Sequence, residues 1–248
     1  MFRHAPAMTW TFGSDIVTKT DSDHLGGIGL LAALPEAARL ALEKQCTWRR
    51  YDSHGQIIDR DSDSRDVYFV TRGTVRVVNY SASGREVSFD DVEAGGFFGE
   101  LSAIDDLPRS ATVVALSDTV VAGLPPAVFK RLMAENPAVA LAIVERLAAI
   151  IRQATDRIMD LSTLGAHNRV HAELLRLGRH HDCTDNVAVI DPAPIHADIA
   201  SRVSTTRETV ARVLGELSRN GLIAREKNAL VVRDVARLES LVVDLKHE

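Results

Sequence analysis

Residues 97–115 read FFGELSAIDDLPRSATVVA, and this stretch decides the fold. An aromatic pair leads into Gly99-Glu100-Leu101, where a strand gives way to a short helical turn. Backbone N–H groups at the start of such a turn have no intrahelical partner and suit a phosphate. Gly99 lets the backbone come close to a ligand. Glu100 offers two acceptor oxygens, as a sugar hydroxyl requires. Nine residues on, Arg109 offers a planar fork of donors that matches a phosphate diester, and Ser110 adds a hydroxyl. Arg109 is expected on a solvated loop, with the strand from Ala111 setting its position. A plain salt bridge between Glu100 and Arg109 across the loop fits the same residues.

Outward from this stretch, the flanking chain has the texture of an antiparallel β-roll. Short β-branched or aromatic runs recur: VYFV (67–70), TVRVVNY (74–80), EVSF (86–89), ATVVAL (111–116) and TVVAGL (119–124). Turn residues separate them: RG at 72–73, SG at 83–84 and AGG at 94–96. Many short strands at short spacing indicate a roll or sandwich. Upstream, IGLLAALPEAARLALEK (28–44) predicts one or two short helices around Pro35, and residues 1–24 read as a loosely held polar arm.

Pro125-Pro126 ends the strand region, and helical periodicity follows. Ala140, Val144, Leu147, Ile151, Ala154, Ile158 and Leu161 fall at alternating steps of four and three, a strict heptad seam with charged flanks. A helix of about 28 residues would be roughly 42 Å long. Such a seam suits a homodimer, although an amphipathic helix packed on its own domain has a similar pattern. Beyond a hinge at Leu164-Gly165 come helical stretches at 167–181, 194–202 and 205–219, closed by an Asn220-Gly221 C-cap. LIAREKNALVVR (222–233) reads as a hairpin turning at Lys227-Asn228, and 234–246 as a last amphipathic helix.

Within IHADIASRVSTTRETVARVLGELSRNG (195–221), Ile195, Ile199 and Val203 make one apolar face, and Val210, Val213, Leu214 and Leu217 another. Ser201-Arg202-Val203-Ser204 is the tight connection of a helix-turn-helix. Arg207, Glu208 and Arg212 sit in the first half of the second helix, with 208 and 212 on one face. Arginine can grip guanine O6 and N7, and glutamate can accept from cytosine N4. The same charges also fit a solvated face. Thr205-x-x-Glu208 matches a capping box, and Arg212 is spaced to pair with Glu208 or Glu216.

Composition sets the bounds. The 248 residues are 46% hydrophobic and 25% charged, an ordinary globular mix for one large or two modest domains. The net charge of −5 argues against a generic polyanion binder. From residue 166 onward the chain holds 12 basic and 12 acidic residues, so the preceding part carries the whole deficit. No run of about 18 apolar residues is present and the first residues lack a secretory apolar core, so a cytoplasmic protein with no membrane partner is expected. Cys46 and Cys183 are too few for a disulfide framework. No Walker loop, nucleophile elbow or HExxH motif appears, so no enzyme activity is expected.

Gly-Glu-Leu, a short loop and Arg-Ser-Ala-Thr-Val together resemble the phosphate-binding cassette of cyclic-nucleotide-binding domains. Arg-Glu-Thr-Val-x-Arg is similar to the recognition helix of the cyclic-AMP receptor branch of the CRP/FNR family. The resemblance spans roughly residues 28–233 in the family's order. It implies an α+β fold: an N-terminal antiparallel β-roll (cyclic-nucleotide-binding jelly roll), a long dimerisation helix and a C-terminal winged helix-turn-helix. Its domains would be an arm (1–24), the roll (25–136), the helix and hinge (137–165) and the DNA-binding domain (166–248). It implies effector binding by Gly99, Glu100, Leu101, Arg109 and Ser110, with Glu100 on the ribose 2′-hydroxyl and Arg109-Ser110 on the cyclic phosphate. It implies DNA contacts from Thr206, Arg207, Glu208 and Arg212 on a palindrome of TGTGA type. The implied effector is a cyclic nucleotide, cyclic AMP first and cyclic GMP second. The implied partners are double-stranded DNA, a second copy of the chain and RNA polymerase.

Two features depart from the family. A Thr-Ser pair that meets the base from the long helix falls here on Ala154-Thr155, so only Thr155 keeps a hydroxyl. Asp90, on the strand before the cassette, either reads a guanine edge or is an exposed strand residue, the latter being the plainer expectation. A family member with a degenerate or different pocket, acting constitutively or through protein contacts, is the alternative. An iron–sulfur cluster of the other branch needs four thiolates, which two distant cysteines do not supply. His167 and His171 at i, i+4, followed by His180-His181-x-Cys183, are read as incidental, and no metal is expected.

Overall fold

The computed structural model describes residues 15–16, 24–60, 62–179 and 183–243. The chain divides into two compact units, residues 1–80 with 89–147 and residues 81–88 with 148–248. In the first unit, one sheet has the order β1 (Asp15–Ile16), β2 (Thr47–Tyr51), β9 (Thr119–Leu124), β4 (Val67–Arg72), β7 (Phe97–Phe98). The other sheet has the order β3 (Gln56–Ile58), β8 (Thr112–Ala115), β5 (Thr74–Tyr80), β6 (Glu86–Glu93), with β6 running on from the second unit. β1–β2, β2–β9, β4–β9, β4–β7, β3–β8 and β5–β8 all pair antiparallel. This is the α+β β-roll expected from the spacing of the apolar runs.

The two central strands of the first sheet, β4 and β9, are buried on both faces, which explains why they read as unbroken apolar runs. Along β4, Val67 and Phe69 join a core with Val120, Ala122, Leu124 and Phe129, while Tyr68 and Val70 join an inter-sheet core with Tyr51, Val75, Phe98, Val113 and Val121. The two cores follow from strand alternation alone. Between β4 and β5, Gly73 turns the chain at φ +83°; a Cβ there would meet the Asp118 carbonyl oxygen at 2.5 Å.

α1 (Glu36–Glu43), α2 (Glu100–Asp105) and α3 (Pro126–Glu135) follow in order, with short 3₁₀ turns at Leu25–Gly27 and Gly29–Leu31. Pro35 stands at the N-cap of α1 and Pro126 at the first position of α3, where the missing N–H has no cost. α4 (Pro137–Thr163) is the long helix. Val139 and Ile143 bury against the first core, with Leu147 partly buried beside them. The rest of the seam differs: Val144, Ile151 at 65%, Ile158 at 63% and Leu161 are exposed on the single chain. The helix therefore packs on its own unit through a second face near its start, and the heptad face is left open.

The second unit holds α5 (Ala166–Arg179), α6 (His196–Arg202), α7 (Arg207–Arg219) and α8 (Val235–Val243). Its antiparallel sheet has the order β10 (Cys183–Thr184), β11 (Val187–Ile190), β13 (Ala229–Val232), β12 (Ile223–Glu226). The expected hairpin forms at Lys227-Asn228, but it lies inside a larger sheet because β10 and β11 extend it. Val170, Leu174, Ile199, Val203, Val210, Val213, Leu217 and Leu238 close one core; Ile195, read on the same face as Ile199 and Val203, is instead the N-cap of α6 and is 60% exposed. Among the described residues no helix is long and apolar enough to cross a membrane. Most of residues 1–24 lie outside the described residues, as do His180 and His181.

Candidate functional site

The cassette folds around a left-handed glycine. Gly99, at φ +83°, is the N-cap of α2 and follows β7 directly. A Cβ at this position would meet Arg109 Nη1 at 2.8 Å and the Asp66 carbonyl oxygen at 3.0 Å. The backbone can turn here only because the side chain is absent. The turn puts Glu100 at the first position of α2, where the residue is 6% exposed. Burial raises its pKa above the usual carboxylate range; its own backbone N–H, Arg146 and then Arg109 oppose that rise, and Asp90 adds to it.

Arg109 is not on a solvated loop. It is 4% exposed. Its Nη1 donates to the Gly99 carbonyl at 2.8 Å, and its Nη2 donates to the Asp66 carbonyl at 2.8 Å and the Ser64 hydroxyl at 2.9 Å. The guanidinium lies over the Tyr68 ring, 5.8 Å from its centroid, and its Nε is buried without a partner. Burial lowers its pKa. The salt-bridge alternative is not what forms: no ion pair joins Glu100 and Arg109 among the described residues. The fork instead cross-braces the loop before β4 to the start of the cassette. Ser64, Asp66 and Tyr68 belong to this site and were not marked by the sequence, since two of them act through a carbonyl or a ring face. Ser110 is exposed and its carbonyl accepts from Asn79 Nδ2 at 3.2 Å. Leu101, in α2, is exposed.

Asp90 is not simply exposed on its strand. Its Oδ2 accepts from Arg146 Nη2 of α4 at 2.9 Å, and the Arg146 guanidinium lies 5.5 Å from the Phe97 ring centroid. Arg146 carried no sequence signal beyond its place off the heptad seam. Thr155, in the second unit, is exposed and its hydroxyl donates to the Ile151 carbonyl at 2.9 Å.

The helix-turn-helix has the expected connection, with Ser204 at φ +54° between α6 and α7. The cap is one residue later than the capping-box reading. Thr206, not Thr205, accepts from the Thr209 N–H at 3.2 Å, and Thr205 is buried. The box fails because Thr205 is drawn into the core side of the turn. Bonds to the Thr206 hydroxyl and a backbone N–H hold the Glu208 carboxyl below its usual pKa. Thr206, Arg207, Glu208 and Arg212 all lie on the exposed side of α7, while Val210, Val213 and Leu217 face the core. His171, on α5, has a buried Nδ1 without a partner, and burial lowers its pKa. No group of three metal-ligating side chains comes together among the described residues.

Comparison with known proteins agrees with both regions. Residues 48–136 match the model of the cyclic nucleotide-binding domain, and residues 168–241 that of the Crp-like helix-turn-helix domain. The chain is 32% identical over 216 residues to the cyclic AMP receptor protein of Thermus thermophilus, covering 85% of this chain and 94% of that protein. It is 28% identical over 191 residues to the cAMP-activated global transcriptional regulator Vfr of Pseudomonas aeruginosa, covering 75% and 89%. Among solved structures, FixK2 from Bradyrhizobium japonicum superposes with a TM-score of 0.65 at 25% identity, covering 79% and 96%. A CooA variant from Carboxydothermus hydrogenoformans shares the fold, with a TM-score of 0.75 at 22% identity and coverage of 90% and 97%. The relatives are transcription regulators rather than enzymes. A β-roll with a phosphate-cassette sequence, a long helix and a helix-turn-helix follow one another in one chain, and the chain therefore belongs to the CRP/FNR family of cyclic-nucleotide-binding, DNA-binding transcription regulators.

Proposed function

We propose that the chain is a cytoplasmic homodimeric regulator that binds a 3′,5′-cyclic nucleotide, cyclic AMP first, and in that state grips a TGTGA-like palindrome. In this reading residues 25–136 sense the effector, 137–165 form the dimer helix and hinge, and 166–248 bind DNA. Glu100 accepts from the ribose 2′-hydroxyl, Arg109 and Ser110 hold the cyclic phosphate with Gly99 and Leu101 beside them, and Thr155 meets the base. Thr206 holds the start of α7 and contacts the DNA backbone; Arg207, Glu208 and Arg212 read base edges in the major groove. RNA polymerase is the further partner. The observation that carries the reading is the buried Glu100 carboxyl held at the start of α2 next to Gly99 and Arg109. The exposed apolar face of α4 supports the dimer.

Titration calorimetry with cyclic AMP and a gel shift on a TGTGA palindrome test the reading together. Nucleotide binding that tightens the gel shift supports it; a shift of equal strength without nucleotide overturns the switch. A second reading has its own support. The terminal nitrogens of Arg109 already donate to Gly99, Asp66 and Ser64. A pocket committed to those bonds would leave a regulator that binds DNA constitutively or acts through protein contacts, and the same calorimetry would show no heat of binding.

A further inference from the structure

Arg169 lies in the first turn of α5, where its own N–H donates to the Gly165 carbonyl at 3.1 Å. Each of its guanidinium nitrogens donates to a different backbone carbonyl. Nε reaches Val203 at 2.9 Å, Nη2 reaches Ser204 at 3.4 Å and Nη1 reaches Leu164 at 2.8 Å. Leu164 directly follows α4, and Val203 is the C-cap of α6. Carbonyls at a helix C-terminus lack intrahelical partners and carry the negative end of the helix dipole, so a cation suits both. A planar fork serves several carbonyls at fixed angles, which an ammonium on a flexible stem does less well.

Val203 and Ser204 form the turn of the helix-turn-helix. Ser204 stands at φ +54°, a conformation that a residue with a side chain keeps only where its surroundings fix it. The Thr205 N–H closes the turn on the Ala200 carbonyl at 3.0 Å, and Arg169 holds the two carbonyls before it. α7 starts at Arg207, three residues after Ser204, so the turn sets the direction in which Arg207, Glu208 and Arg212 are presented. We infer that Arg169 is a positioning residue for DNA reading: it fixes the turn against the Leu164 carbonyl at the hinge, and with it the pose of α7. The inference rests on α7 being the helix that reads base edges. Bidentate bonds to a base edge need both distance and angle, so they depend on that pose. Attraction to phosphates is independent of sequence and falls off gradually with distance, so it depends on the pose far less. With its nitrogens donating to the fold's own carbonyls, Arg169 acts through α7 rather than on DNA itself.

Selection from a pool of random duplexes by the full-length parent, with and without cyclic AMP, supplies a specific probe. A duplex of the same length and shuffled sequence supplies the non-specific one. Fluorescence anisotropy gives the ratio of the two affinities and their salt dependence, well below the melting temperature of each variant. In Arg169→Ala the ratio of specific to non-specific affinity falls about tenfold, while non-specific affinity and the salt slope stay at the parent value. Arg169→Lys keeps the charge and loses the fork; its ratio lies between the two, and it carries the comparison if Arg169→Ala does not fold. Leu238→Val, a change in the same core away from the turn, lowers the melting temperature and leaves the ratio unchanged. An unchanged ratio in the Arg169 variants would overturn the inference and leave the residue as a brace of the fold. Equal losses for both duplexes, with the salt slope reduced by about 1, would overturn it too and make Arg169 a phosphate contact. A parent that enriches no sequence would overturn the assignment of α7 as the base reader, and the inference with it.

Discussion

Arg109 has two roles that its surroundings separate. Its inward bonds to Gly99, Asp66 and Ser64 brace the roll, and in the proposed pocket its charge faces the cyclic phosphate. Arg109→Ala therefore lowers nucleotide affinity by about 1.5–3 kcal/mol, and it also lowers the melting temperature because buried carbonyls lose their donor. Arg109→Lys keeps the charge but not the fork, and it should restore more stability than affinity. Calorimetry and a thermal melt on both variants separate the two effects. Glu100 predicts a pH dependence of definite sign. Its pKa is raised in the folded state, so between the ordinary carboxylate value and the raised value the folded form binds more protons than the unfolded one. Stability from this group falls as pH rises through that window. Glu100→Gln removes the effect, so its melting temperature relative to the parent should rise from pH 4 to pH 7. A constant difference over that range would show that burial does not govern this carboxyl.

At the scale of elements, α7 and α4 carry the clearest predictions. The Thr206 cap satisfies the Thr209 N–H, so Thr206→Ala should cost about 1 kcal/mol of stability. Arg207→Ala should cost about 1–3 kcal/mol in operator binding, relax base preference and leave nucleotide affinity without DNA unchanged. On α4, Ile151→Glu or Ile158→Glu sets two like charges across the open heptad face and should halve the mass seen by light scattering. Persistent dimers would mean that another surface holds the subunits. The longer helices were legible because their apolar periods run over several turns. The runs at 67–70, 74–80 and 119–124 were legible because strands with a buried face favour β-branched residues. β2 was harder to read: TWRRY places Arg49 and Arg50 in a strand whose buried positions are Trp48 and Tyr51. β10 and β11 were missed because they are short and because β11 gains its second partner, β13, from far along the chain. The cassette was legible as a contiguous string. The bracing of Arg109 by two backbone carbonyls was not, because carbonyls belong to no residue type.

At the scale of the whole molecule, β6 and α4 are notable because each contributes residues to both units. An arginine of α4 ties them together in each unit. In the first unit Arg146 donates to Asp90 at 2.9 Å; in the second, Arg157 donates to the Ser88 carbonyl at 2.5 Å and to the Ser201 carbonyl of α6 at 3.4 Å. Burial lowers the Arg157 pKa, and Glu173 opposes that shift. A partly buried guanidinium that donates to two carbonyls on different elements has few alternative arrangements, so it suits an element with discrete states better than a compliant one. A ligand can shift such states only through its differential affinity for them. By linkage, operator DNA must tighten nucleotide binding by the factor by which nucleotide tightens DNA binding. The expected coupling is about 1–3 kcal/mol. Arg157 is not among the residues assigned to the nucleotide or to DNA, so Arg157→Ala should leave nucleotide affinity without DNA near the parent value while reducing the coupling. Thr155→Ala should reduce the coupling with some loss of nucleotide affinity, because its hydroxyl is assigned to the base. Measuring nucleotide affinity with and without operator, in the parent and both variants, gives each number directly. If operator leaves nucleotide affinity unchanged in the parent, the two sites are uncoupled and the proposed switch fails. If Arg157→Ala retains the full parental coupling, the carbonyl tie is structural and the coupling runs through other residues of α4.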